Sequence, residues 1–492
     1  MPKPTPNIVV IGAGIGGLTA TLRLAHGGAR VTVLDSHDAP GGKMRTRPSV
    51  AGPVDAGPTV LTLKHVFDTL FHDVGADIAD HVTLLPEPIL ARHFWPDGTQ
   101  LDLMADPAES LRNIRDVFGG RAAQQFTAFR DQTAQLFDAF DAPMMQSQAP
   151  TLAGMTAQVL RNPAMIPAMQ SHRTMTRALS RRFSDPRLVQ LFGRYATYVG
   201  GVPDRSPALL NLISQAEGRG VWHVVGGMHK LAQAIADLAT VHGATFHYNT
   251  HVTRVETQDG RIAAVQTDAG RIKADAVLFN GDPQALHTGL LGTGVTQAAP
   301  AQTPRSLSAY VASFASTATG LPLAGHNVIF ADDPATEYAP LSRDQMQTDP
   351  TLYICAQDRF GGQTPTGPER FELIMNASPT PQTTPDHKEA ETCLTIITNR
   401  LRSRRLHLDP WPTVADLTMP QDFNTVFPVS HGSLYGRSPQ GLLAAFKRPT
   451  ARTPIAGLYL AGGGAHPGAG VPMAALSGQH AGAAMLQDLH LT

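Results

Sequence analysis

The chain is 492 residues long, enough for two or three domains, and its 39 Lys and Arg against 40 Asp and Glu give a net charge of −1, which indicates no nucleic-acid partner. Its hydrophobic content of 42% is that of an ordinary globular protein. Its two cysteines, Cys355 and Cys393, have neither metal nor redox spacing; they suit a reducing cytoplasm and suggest no metal site, and no secretory leader is expected at the N-terminus.

In chain order, "NIVVIGAGIGGLTATLRLAHGGARVTVLD" predicts a buried strand at 8–11, a tight turn carrying Gly12, Gly14 and Gly17, a helix to about residue 25, and a second strand ending in Asp35. A strand before the glycines, a helix after them and an acid about 20 residues on form the dinucleotide fingerprint. Gly12 permits the turn, Gly14 lets a pyrophosphate approach the backbone, Gly17 lets helix and strand pack, and Asp35 takes the ribose hydroxyls. "GGKMRT" then brings Gly41, Gly42 and Lys43, followed by "VDAGPTVLT" with Gly57, Pro58 and Thr59. A glycine pair with a basic residue just after the acidic strand end is typical of enzymes that cradle an extended FAD. The hairpin "RHFWPDGTQLDL" turns at Pro96, Asp97 and Gly98, and helices follow. From 142 to 184 there is no acidic residue, while Arg161, Arg173, Arg177, Arg181 and Arg182 are basic and six of the 15 methionines fall there. Such a segment suits an anionic membrane surface or the mouth of a tunnel for a long apolar molecule; the plainer reading is solvated arginines on helices whose methionines fill the core. Residues 250–281 alternate as a β-meander with turns at Gly260 and Gly270. "LSAYVASFAS" and "FELIMNASP" are further strands, with Thr- and Pro-rich loops between them.

The chain closes with "IAGLYLAGGGAHPGAGVPMAALSGQHAGAAMLQ", and residues 453–487 carry no Asp, Glu, Lys or Arg. The run is long enough to span a bilayer, which takes about 20 apolar residues, but its glycines and prolines cannot keep a continuous helix satisfied in lipid. It reads instead as a strand, a glycine loop, and a small-residue helix from about 472, a unit whose free N–H groups face an anion.

The fingerprint with its GGK, the "DAGPT" turn, "GVWHVVGGMHKL" and "GLYLAGGGAHPGAGVPMA" together resemble the bacterial phytoene-desaturase type of carotenoid desaturase, over nearly the whole chain. The resemblance implies an α/β fold: a Rossmann-like FAD-binding domain of the glutathione-reductase and amine-oxidase kind, with an inserted α+β substrate domain. The expected parts are FAD-binding segments at 1–85, 216–289 and 411–492, a helical substrate and membrane-contact insertion at 86–215, and a substrate-domain sheet at 290–410. FAD would be held by Gly12, Gly14, Gly17, Asp35, Gly42, Lys43, Gly57, Pro58 and Thr59, and its adenine would meet the backbone of Val252. Gly462, Gly463, Pro467, Gly470, Val471 and Met473 would form an uncharged wall along the isoalloxazine. There a helix N-terminus favours the reduced, anionic flavin by about 0.3–1 kcal/mol, and up to about 2 when partly buried.

A carotenoid carried free through water would cost tens of kcal/mol at about 0.8 kcal/mol per CH₂. The resemblance therefore implies a substrate taken directly from the lipid bilayer by a cytoplasmic enzyme held peripherally on the inner membrane. Desaturation removes a hydride and a proton from adjacent carbons. Loss of the hydride makes the neighbouring proton so acidic that a weak base or a water suffices, and no catalytic base is assigned; His431 and Tyr435 are conceivable, more readily as structural residues. The electron acceptor is oxygen or a quinone. Within the family the chain sits nearer the branch that introduces a 3,4 double bond into 1-hydroxycarotenoids than the branch that desaturates phytoene, because His223 and Val224 follow Trp222 where an aromatic residue and a proline are usual. His223 is thus the expected partner of the substrate hydroxyl, with Trp222 beside it and His93 as second choice. Two rivals remain: a flavin-free escort of isoprenoid tails, which would not need the glycine fingerprint, and a flavin amine oxidase, whose aromatic cage sits poorly with an aromatic content of 6%.

Overall fold

The structure is a computed structural model and describes residues 5–161, 163, 165–441 and 443–491. At its centre lies a parallel sheet in the order Leu458–Leu460, Ala276–Phe279, Asn7–Ile11, Arg30–Leu34, Thr245–His247. Its strands read as apolar runs because both faces are covered. Ile8 and Val10 pack on the helices Ile15–His26, His229–Val241 and Val471–Asp488, while Val9 and Ile11 pack on the meander Val252–Gln258, Arg261–Thr267, Gly270–Lys273.

The helix that follows the fingerprint and the C-terminal helix touch backbone to backbone. A Cβ on Gly478 would stand 2.1 Å from the Gly16 carbonyl oxygen, and the Thr19 hydroxyl donates to the Ala475 carbonyl at 3.0 Å. Almost every residue from Val471 to Leu486 is buried in this contact or against the sheet. The absence of charge from 453 to 487 therefore follows, along most of the run, from core packing. A wall for the flavin is left to the glycine loop and the helix's first turn.

A second, larger sheet runs His407–Asp409, Ser308–Thr319, Glu369–Ala377, Leu352–Ala356, His326–Ile329, Ile89–Phe94, Gln100–Met104, with Leu417–Thr418 also paired to Ser308–Thr319. All pairings are antiparallel except that of Ile89–Phe94 with His326–Ile329. The hairpin at 89–104 thus forms an edge of this sheet, and the two insertions share one framework. Side chains alternate across it. Ala312, Phe314, Ile354, Phe371, Leu373 and Met375 face the helix His387–Ser403 and bury Ala390, Cys393, Ile397 and Leu401. The opposite face turns toward the FAD-binding part. At the sheet edge Phe126, Phe129, Phe183 and Phe192 cluster under the helices of the first insertion. Of the methionines there, Met165 and Met175 are core residues, whereas the helix Leu152–Arg161 buries none of its side chains.

Candidate active site

Glycine contacts build the cradle. Gly12 holds a left-handed φ of 100° and donates its N–H to the Leu34 carbonyl, which turns the chain sharply off the first strand. A Cβ on Gly17 would meet the Gly12 carbonyl oxygen at 2.1 Å, one on Gly42 would meet the Gly14 Cα at 3.1 Å, and one on Gly57 would meet the Lys43 carbonyl oxygen at 1.9 Å. The fingerprint, the GGK and the DAGPT turn therefore stack on one another. Asn280, at the carboxyl end of the strand Ala276–Phe279, donates to the Gly12 carbonyl at 3.1 Å and leaves its own buried Oδ1 without a partner among the described residues. A Cβ on Gly16 would come within 2.7 Å of both that oxygen and the Gly462 nitrogen, so the C-terminal glycine loop closes on the same point. Gly470 has open space around its missing side chain, and Val471 begins the uncapped helix; Gly463, Pro467 and Met473 belong to the same loop and first turn.

At the far end Asp35 accepts hydrogen bonds from the Ala13 N–H at 2.6 Å, the His37 N–H at 2.8 Å and the His37 ring at 2.9 Å. Burial opposes its ionisation, but these donors together hold its carboxyl below the usual range. Thr250 donates its N–H to the Asp35 carbonyl, which sets the start of the strand Val252–Gln258 beside the acid that would take the ribose.

Beneath the cradle sits an excess of positive charge. Lys43 donates to the Leu434 carbonyl at 2.6 Å and stands 5.2 Å from the Phe427 ring. Arg448 donates to the carbonyls of Gly463, Tyr435 and Arg437 at 2.7, 2.8 and 3.0 Å. Arg305 pairs with Asp282. Burial lowers the Lys43 pKa to about 8 and that of Arg448 to about 10, with Asp282 opposing in both cases. Three part-buried cations beside one carboxylate fit a cofactor that brings negative charge, as the FAD pyrophosphate does. The residues present fit FAD.

The polar face of the large sheet lies over the DAGPT turn. The Thr59 and Tyr353 hydroxyls are 3.0 Å apart, the Tyr353 hydroxyl is 2.7 Å from the His326 Nδ1, and Gln357 bonds both the N–H and the carbonyl of Asp55. His223 is half-buried, its ring stacked 4.3 Å from Phe360, and burial lowers its pKa with help from Arg370. His326 also meets Phe360, edge-on with ring centroids 5.0 Å apart, and is buried. Trp222 donates its N–H to the Leu61 carbonyl and brings the strand Trp222–Val224 alongside. His93 lies deeper, stacked against Phe330, with Nδ1 3.2 Å from the Leu101 carbonyl; burial, helped by Arg194, lowers its pKa to about 3. His431 has a left-handed φ of 56° and ties its backbone to Asn424 and Thr380, while the Tyr435 hydroxyl is pushed up to about 12 by burial and by Glu372. A cavity of about 180 Å³ lies farther out, between Phe126, Phe129, Phe192, Leu90 and Leu103. Drug-sized ligands need roughly 300–1,000 Å³, so this cavity holds part of a long chain at most.

An FAD cradle under a large mixed sheet defines a flavin-dependent oxidoreductase, and comparison with known proteins agrees. The chain belongs to the family of flavin containing amine oxidoreductases, whose model matches residues 15–486. Within that family its full-length relatives place it among the carotenoid desaturases. It is 52% identical to the hydroxyneurosporene desaturase of Cereibacter sphaeroides, over 99% of each chain, and 46% identical to that of Rhodobacter capsulatus, over 98% of each. Among solved structures, cyclohexylamine oxidase from Brevibacterium oxydans shares the fold at a TM-score of 0.57 and 17% identity, over 99% of this chain and 100% of that one. The cofactor is FAD, so a flavin-free escort role falls away.

Proposed function

We propose that this protein is an FAD-dependent desaturase that forms a C3–C4 double bond in a 1-hydroxycarotenoid. The observation that carries the reading is the meeting of an FAD cradle with full-length likeness to two proteins named hydroxyneurosporene desaturase. Bound FAD supplies the hydride acceptor. Around it Lys43, Arg305 and Arg448 balance negative charge, and the large sheet covers the DAGPT turn through Tyr353 and Gln357. The substrate would pass straight from the bilayer to an enzyme held peripherally on the cytoplasmic face of the inner membrane, and oxygen or a quinone would reoxidise the flavin. Among the described residues no helix is long and apolar enough to cross a membrane, which is compatible with that attachment.

The test is to incubate the flavin-loaded enzyme in liposomes with phytoene and, separately, with a 1-hydroxylated carotenoid, and to follow the polyene spectrum. A red shift with the hydroxylated substrate alone supports this reading. A shift with phytoene alone would assign the chain to the phytoene branch.

A further inference from the structure

One rung of the large sheet carries polar side chains in a place where a hydrocarbon substrate would want none. Ser313 pairs in register with Glu372, Glu372 with Cys355, and Cys355 with His326, so all four project from the same face. All four are at most 2% exposed. Among the described residues the Ser313 Oγ, both carboxyl oxygens of Glu372 and the His326 Nε2 have no hydrogen-bond partner. This is the face that meets the DAGPT turn through Tyr353 and Thr59. The Thr59 hydroxyl and the Gly57 N–H approach the Glu372 carboxyl without completing a hydrogen bond to it. Buried polar atoms are normally paired, and each orphan calls for an explanation.

We propose that Glu372 reads the tertiary hydroxyl of the substrate. The inference rests on the 1-hydroxycarotenoid reading given above. In such a substrate a single carbon separates the hydroxyl-bearing carbon from the bond that is formed, so the group that reads the hydroxyl must stand close to the reacting end of the flavin. Glu372 acts on Tyr435, whose carbonyl accepts from Arg448, and Arg448 also holds the Gly463 carbonyl in the glycine loop expected along the isoalloxazine. Burial, reinforced by Asp55, raises the Glu372 pKa well above the usual carboxylate range, and the neighbouring Thr59, Gly57 and Arg45 only oppose this. A neutral carboxylic acid offers one donor and one acceptor, and an alcohol answers both. A hydrocarbon end would leave the acid unpaired, which disfavours the non-hydroxylated chain as much as it favours the hydroxylated one.

The experiment uses the flavin-loaded enzyme and two acyclic carotenoids that differ only in the 1-hydroxyl. Turnover is measured together with binding, the latter by quenching of tryptophan fluorescence, and with flavin absorbance. Glu372→Leu should lower kcat/KM and binding for the hydroxylated carotenoid by about tenfold or more, about 1.4 kcal/mol. Activity on the other carotenoid should be spared or raised, and flavin absorbance unchanged. Glu372→Met, unbranched and adaptable, is the parallel apolar variant should Leu pack badly. Glu372→Gln, which keeps a donor and an acceptor, should stay within about threefold of wild type. Equal loss on both substrates, or an altered flavin spectrum, would assign Glu372 to the chemistry or the cofactor and overturn the proposal. A preference for the hydroxyl that survives Glu372→Leu would place the reader elsewhere. A wild type with no preference at all would overturn the functional reading, and this assignment with it.

Discussion

Lys43 shows how one side chain couples the cradle to an anionic cofactor. In an unfolded chain its pKa is about 10.4, and in the fold burial brings it to about 8. Between these values the unfolded state binds the extra proton, so the fold gains stability as pH rises from 8 to 10.4, and below 8 the cost of burying the ammonium is present in full. An anionic pyrophosphate reverses the preference by favouring the charged form, so above about pH 8 loading FAD takes up a proton. FAD affinity should therefore be level below about pH 8 and weaken above it by up to tenfold per pH unit. Lys43→Met should bind FAD more weakly at neutral pH and lose this pH dependence, as read by quenching of flavin fluorescence on titration. The same cradle predicts that Gly14→Val leaves a soluble chain without flavin absorbance. A side chain there crowds the Asn280 amide at 2.9 Å and takes the space a pyrophosphate needs; normal flavin content would sink the assignment. Gly14 and Lys43 were legible in the sequence because the fingerprint and the GGK are local patterns. Asn280, Arg305 and Arg448 were not, since each comes from a distant segment and lies in no motif that marks it. Glu372 left a faint trace. Phe371 and Leu373 face the apolar core, and alternation alone put the acid on the other face, but nothing in "FELIMNASP" told what that face would meet.

The C-terminal helix and loop also anchor a distant segment. His466 and His480 stack 6.1 Å apart, and their Nε2 atoms bond the carbonyls of Ser147 and Met145 at 2.8 and 2.9 Å. They pin the π-helical turn Asp141–Met145 and the residues after it onto the FAD-binding part. Nothing local in the methionine-rich segment announces these anchors, because they lie more than 300 residues away. Burial lowers both histidine pKa values, that of His466 to about 4. The unfolded chain protonates first as pH falls, so the stability held by the neutral ring is intact above about 6.5 and is lost progressively down to about 4. Protection of the amides at 141–148, taken relative to the intrinsic exchange rate at each pH, should accordingly fall over that window. In His466→Ala with His480→Ala it should be low at pH 7 already, while protection in the strand Asn7–Ile11 stays high. Protection at 141–148 that ignores both changes would mean that the segment is held by its apolar contacts alone. The hairpin at 89–104 carries a related lesson. Its turn and strands could be read locally, whereas its parallel pairing with His326–Ile329 is a contact between distant segments that no periodicity announces.

Across the whole molecule a net charge of −1 conceals an uneven surface. The acid-free stretch expected to meet lipid contains exposed Leu152, Leu160 and Ile166, at 52%, 69% and 56% exposure, on or beside the helix that buries nothing. Of its arginines, Arg173 bonds Gln170 and Arg182 bonds Gln132, whereas Arg161, Arg177 and Arg181 are exposed. If this surface docks on an anionic bilayer, its apolar and basic parts must answer differently to salt. Each arginine near the surface contributes about 1 kcal/mol, so replacing Arg161, Arg177 and Arg181 with Gln should weaken co-sedimentation with anionic liposomes by roughly a hundredfold at low ionic strength. The loss should vanish near 1 M salt, where the screening length is about 3 Å. Replacing Leu152, Leu160 and Ile166 with Ser removes apolar insertion, worth up to about 1.5–3 kcal/mol per side chain when fully buried, and that loss should persist in high salt and on neutral liposomes. Both sets lie apart from the glycine cradle and should keep normal flavin absorbance. If neither set changes liposome binding under any of these conditions, the patch is a solvated surface and the entry route for a lipid-borne substrate lies elsewhere on the molecule.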